Sequence, residues 1–114
     1  MADQHDASVA KALFVRLHAQ QGQEDAVEAF LREGLAAVMQ EPGTTTWYAV
    51  RFGDRDFAIF DTFPGDAERL AHLAGKVGQA LVARTPELLD RPPAIKHAEM
   101  LAYKLPGDSG QLCA

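Results

Sequence analysis

Apolar and polar residues alternate along Val9–Ala19. Leu13, Val15, Leu17 and Ala19 fall on one side of the chain, and Phe14, Arg16 and His18 on the other. A period of two is that of a strand, here with one apolar and one mixed face. After the turn Gln20–Gln23 the period changes. Val27, Phe30, Leu31, Gly34, Leu35 and Val38 recur at helical spacing and predict a helix over Glu24–Gln40. Glu24, Asp25 and Glu28 lie near its start, where carboxylates suit the helix dipole, and Glu41-Pro42-Gly43 stops it. Thr44–Phe52 is rich in Thr, Trp, Tyr and Val and reads as a strand. The polar turn Gly53–Asp56 joins it to a third strand, Phe57–Phe63, as an antiparallel hairpin.

Pro64-Gly65-Asp66 ends that strand and opens a second helical stretch from about Ala67 to Arg84. Its apolar stripe is Leu70, Leu73, Ala74, Val77 and Leu81; Gly75 and Gly78 predict a break or two short helices. Thr85-Pro86 begins one more helical turn through Leu89, Asp90–Pro93 is an extended connector, and Ala94–Leu105 is the last strand. The order strand, helix, strand, strand, helix, strand is the split β-α-β arrangement of an α+β, ferredoxin-like domain. Two helices cover one face of a four-stranded antiparallel sheet. The large side chains of the other face call for a second sheet, and so for a homodimer built as an α/β barrel.

The chain has 114 residues, 47% of them hydrophobic and 24% charged, which suits one core and one domain. Met1–Ser8 is expected to be a flexible leader, 9–105 the domain, and 106–114 a flexible tail. A net charge of -5 argues against a nucleic-acid groove or an anionic membrane as partner. No run approaches the roughly 20 apolar residues of a bilayer span, and the polar leader lacks the pattern of a signal peptide; the expectation is a cytoplasmic protein. The lone Cys113 has neither a disulfide partner nor metal-ligand spacing, and no metal is expected.

Three stretches carry a resemblance. They are Glu41-Pro42-Gly43 with the following Trp47-Tyr48, Phe57–Phe63 running into Pro64-Gly65-Asp66-Ala67, and Ala71-His72-Leu73-Ala74-Gly75. In order and spacing the chain resembles the antibiotic biosynthesis monooxygenase family of dimeric α/β barrels, over roughly Ala10–Leu105. The resemblance implies a pocket between sheet and helices and oxidation of a small aromatic phenol or quinol by molecular oxygen, without a cofactor. The substrate supplies the electrons; the protein binds it, deprotonates it and stabilises the anion. His72 or Asp61 would be the base, and Trp47 or Tyr48, Phe63 and Ile59 the apolar walls. Two other readings accompany this one: a non-catalytic small-molecule-binding barrel like the stress-responsive relatives, and a haem-binding member using His72. The chain contains no asparagine, the residue several family types place on or near the first strand; Val15 stands there.

The residues themselves leave alternatives open. On a continuous helix His72 lies opposite Leu70, Ala74 and Val77, toward solvent; a break near Gly75 turns it inward. Trp47 and Tyr48 point to opposite sheet faces. If Phe52 pairs with Phe57, Tyr48 sits opposite Asp61; if the turn is one residue shorter, Trp47 does. Asp61, midway along an apolar strand and on the face of Phe63, is costly to bury without a partner, so it is hydrogen-bonded or poised as a base. Arg16 and His18 on the mixed face suggest an intersubunit ion pair, and His97 an edge position.

Overall fold

The computed structural model describes residues 9–106 and 111–112. The leader, Cys113 and most of the tail lie outside them. The domain's strands are β1 (Lys11–His18), β2 (Thr46–Arg51), β3 (Asp56–Phe63) and β4 (Ala94–Glu99). They form one antiparallel sheet in the order β2-β3-β1-β4. Helices α1 (Glu24–Val38), α2 (Asp66–Leu73) and α3 (Lys76–Leu88) complete the split β-α-β fold. Among the described residues no helix is long and apolar enough to cross a membrane.

The odd-numbered residues of β1 and β3 supply the core. Leu13, Val15 and Leu17 stand opposite Asp61, Ile59 and Phe57, and Val27, Phe30 and Leu31 of α1 and Leu81 and Leu88 of α3 pack over them. Ile59 is one of the residues buried in this core and is not among the walls of the two larger grooves. The expected space between sheet and helices is taken up by these side chains. What remains are grooves at its margin.

The second helical stretch breaks where its glycines lie. The chain leaves α2 at Ala74, and Gly75 is extended before α3 begins. A Cβ on Gly78 would stand 2.3 Å from the Leu73 carbonyl oxygen, so only glycine lets α3 start this close beneath α2. The break resets the helical phase. Leu70, placed in the apolar stripe, is instead 68% exposed, and His72 turns inward. Pro86 does not open a separate turn; it lies inside the last turns of α3, where Thr85 donates its hydroxyl to the Leu81 carbonyl.

The last strand also differs from its pattern. Pairing with β1 ends at Glu99, and the chain resumes as β5 (Ala102–Tyr103), which pairs with β6 (Gln111–Leu112) in a separate two-stranded ribbon. One further bond follows the Lys11–Glu99 rung, from the Met100 amide to the Ala10 carbonyl at 2.9 Å, before the chain leaves β1.

Candidate functional site: a buried carboxylate–imidazole–carboxylate array

The β2–β3 hairpin takes the tighter of its two possible registers. Arg51 pairs with Phe57, and Trp47 therefore stands opposite Asp61. Trp47 faces the helices. Tyr48 points to the open sheet face and is half exposed, so it cannot form a wall beside Asp61. Asp61 is 1% exposed, on a strand whose neighbours on that face are Ile59 and Phe63.

Its partner comes from α2. His72 is 9% exposed and its Nε2 lies 2.9 Å from Asp61 Oδ2. The contact is an ion pair by distance, off the line of a directed hydrogen bond, and among the described residues neither Asp61 oxygen has a well-aligned donor. On the other side of the ring, His72 Nδ1 lies 2.6 Å from Glu41 Oε1, and Thr44 donates its hydroxyl to the same oxygen at 2.7 Å. A carboxylate only accepts, so Nδ1 carries a proton. Phe63, fully buried, packs its ring 5.3 Å from the imidazole, supporting it from behind.

Electrostatics follow from this burial. Desolvation pushes the Asp61 carboxyl up from its ordinary value, and the neighbouring His72 only partly opposes it. For His72 burial is the largest single influence and acts downward, but Asp61 and Glu41 together outweigh it and the imidazole is raised. The raised direction for His72 favours its imidazolium form, held between Asp61 and Glu41.

The array opens to solvent at its Glu41 end. A groove of about 850 Å³ is lined by Ala36, Ala37, Gln40, Glu41, Pro42, Gly43, Glu68, Ala71, His72, Gly75 and Lys76. Glu41 Oε2, which bonds neither His72 nor Thr44, points toward Gly75 on that groove. A second groove of about 640 Å³ runs between α1 and the edge strand β2, with Trp47, Tyr48, Phe57, Leu31 and Leu35 among its walls. The two carboxylates flank opposite ring nitrogens and do not converge on a point a metal ion could share. Among the described residues no group of three or more His, Cys, Asp or Glu is disposed to hold one.

Of the residues singled out in the sequence, the fold brings together His72, Asp61 and Phe63, with Trp47 directly across the strand pair. Tyr48 lines the α1–β2 groove from the open-face side, and Ile59 is packed in the core next to Asp61. Glu41 is the residue the sequence reading missed, because its place before Pro42-Gly43 explains it fully as a helix stop. The signal available was an acid beside the polar run Thr44-Thr45-Thr46, too weak to single out alone. Elsewhere, His18 pairs with Asp90 of the same chain at 2.6 Å, and Arg16 stacks over Phe52. His97 is exposed on the edge strand β4.

A four-stranded antiparallel sheet with helices on one face defines the class: an α+β ferredoxin-like fold of the kind found in antibiotic biosynthesis monooxygenase-like proteins. Two proteins provisionally named antibiotic biosynthesis monooxygenases share it. One, from Nitrosomonas europaea, matches with a TM-score of 0.71 and 13% identity over 80% of this chain and 98% of its own. The other, from Caulobacter crescentus, matches with 0.71 and 14% over 86% and 95%. At such identities the likeness concerns the fold. The NE2512 protein from Nitrosomonas europaea, of unknown function, is much nearer: TM-score 0.85 and 45% identity over 90% of this chain and 99% of its own. The chain belongs to the same family as NE2512. No protein-family model and no curated protein matches it.

Proposed function

We propose that the protein is a cofactor-independent monooxygenase that oxidises a small phenol or quinol with molecular oxygen. The observation that carries this reading is the buried Asp61–His72–Glu41 array with one end on a largely apolar groove large enough for an aromatic ring. A phenol lying in the groove donates its proton to Glu41 Oε2. The imidazolium holds Glu41 in place, and Asp61 holds the imidazolium. The phenolate then reduces oxygen, a C–O bond forms at an activated ring C–H position, and the O–O bond breaks as that hydrogen leaves. Phenol and O2 become quinone and water, and all four electrons come from the substrate. The protein's part is proton transfer and a water-poor surface for the anion.

The same reading includes a homodimer. Tyr48, Val50 and Phe52 are exposed on the open sheet face, with Phe14 and Phe60 half-buried among them. A second copy covering them would close the barrel. Haem binding is not part of the proposal, because both ring nitrogens of His72 are engaged.

Oxygen uptake with a panel of phenols and quinols tests the activity, using wild type, Glu41→Gln and His72→Ala with folding checked by circular dichroism. Loss of the general base predicts a fall of about a hundredfold or more. Saturable binding without oxygen uptake would make the protein a binding module, and undiminished uptake by folded Glu41→Gln would remove the array from the mechanism.

A further inference from the structure

At its inner end the array meets a second polar group without a partner. Among the described residues the buried Trp47 Nε1 has no acceptor, and the Asp61 carboxylate, 1% exposed, has no well-aligned donor. The two residues are directly opposite on β2 and β3 and both project toward the helices. Directly paired side chains have Cβ atoms about 5 Å apart, so an indole N–H and a carboxylate oxygen on them come within reach of one small bridging group. Buried donors and acceptors are rarely left unmet, and orphans of complementary kind on adjacent positions mark a place for a third atom. That atom must accept from an N–H and donate to a carboxylate. An ammonium, the form an aliphatic amine takes near neutral pH, has no lone pair for Trp47, and an anion would be repelled by Asp61.

We propose that Trp47 Nε1 and Asp61 form a buried binding site for a single neutral hydroxyl, supplied by water or by the hydroxyl of a small ligand entering from the α1–β2 groove that Trp47 walls. The site is distinct from the Glu41 end of the array and its occupation requires no oxidation. It gives Asp61 the directed hydrogen bond that His72, misaligned, does not supply. It also makes Trp47 an orientation-sensing wall between the groove and the array.

Trp47 is the single tryptophan of the chain, so its indole N–H gives one isolated signal. In ligand-free, nitrogen-labelled protein this signal is expected downfield, protected from exchange, and linked to water by a cross-relaxation peak. Phenol, added without oxygen, is then compared with anisole, which has the same ring but no hydroxyl proton to donate. Phenol is expected to shift the indole signal saturably at a concentration about tenfold lower than anisole or less. In Asp61→Leu that preference is lost; should that variant misfold, Asp61→Asn narrows it, since the bond is no longer charge-assisted. A water peak with no phenol preference identifies water as the occupant, and a phenol preference identifies the ligand hydroxyl. An indole N–H that exchanges freely and discriminates neither probe overturns the site. Because no turnover is measured, that failure is separable from failure of the monooxygenase reading.

Discussion

Replacing His72 by alanine is the sharpest test of the array, because the effect on stability is large and its origin specific. Asp61 is 1% exposed, and among the described residues His72 is the one cationic group within ion-pair distance. Removing one partner of a buried pair costs about 3–5 kcal/mol, since the other charge is left in a medium of low polarity. Two things bring the loss toward the lower end. His72 still meets some solvent on its Glu41 side, where the carboxylate is 22% exposed, and Asp61 escapes by taking up a proton. Lost packing against Phe63 adds to it. We expect about 3 kcal/mol at neutral pH, read as a fall in urea midpoint at unchanged slope, with protein concentration held constant in case the unfolding unit is a dimer. Pairing His72→Ala with Asp61→Asn removes the stranded charge. The double variant should be more stable than the sum of the singles implies by about 2 kcal/mol. A single loss below about 1 kcal/mol, or strict additivity, would show that Asp61 does not depend on His72.

The pH dependence has a definite sign. Asp61 and His72 are both raised on folding, so the folded chain binds more protons than the unfolded one and stability falls as pH rises. The Asp61 contribution is lost upward from its ordinary 3.8 through its raised value, and that of His72 upward from 6.5 through its own. Glu28 and Asp90 are lowered by Arg51 and Arg91 and act oppositely in acid, so the informative quantity is wild type minus His72→Ala: largest between the two windows, shrinking toward both extremes. A flat difference across the titration contradicts the array. Gly78→Ala places a Cβ against the Leu73 carbonyl and should destabilise by about 1–3 kcal/mol in urea unfolding; a neutral result would mean α2 and α3 shift apart freely. Phe60→Asp on the open face should convert a dimer to a monomer in sedimentation at micromolar concentration; wild type already monomeric there would remove the barrel.

The elements were legible because their periods are clean. Leu13–Ala19 keeps one wholly apolar side at a period of two, and Val27 to Val38 keeps one stripe, so β1 and α1 follow from polarity alone. The edges of elements were less so. Ala94–Leu105 has the composition of one strand, yet after a last bond from Met100 to Ala10 it leaves β1, and Ala102–Tyr103 pairs with Gln111–Leu112, a partner set by another part of the chain. Leu70 shows the same limit. Its apolar character assigned it to the core, while the turn forced by Gly75 and Gly78 rotated α2 and brought in His72 two residues later. The glycines were visible in the sequence; the angle through which they turn the helix was not.

For the site, the hairpin register decides most. One residue of loop length separates an Asp61 facing Tyr48 from an Asp61 facing Trp47, and the sequence is compatible with both. The tighter loop wins in the structure, where the Phe52 amide bonds the Asp56 carbonyl at 2.8 Å. Everything chemical depends on that choice. With Tyr48 inward, a phenol hydroxyl would have met Asp61 and the array would have been closed by the protein's own side chain. With Trp47 inward, an indole N–H lies across the strand pair from Asp61, and among the described residues neither has a well-aligned hydrogen-bond partner. A residue held only to stabilise the fold would gain from a full set of bonds or from replacement by leucine, at a position surrounded by Leu13, Phe63 and Trp47. Retaining Asp61 there, with a misaligned cation as its nearest partner, makes sense when the carboxylate exchanges protons or ligands, and little sense otherwise.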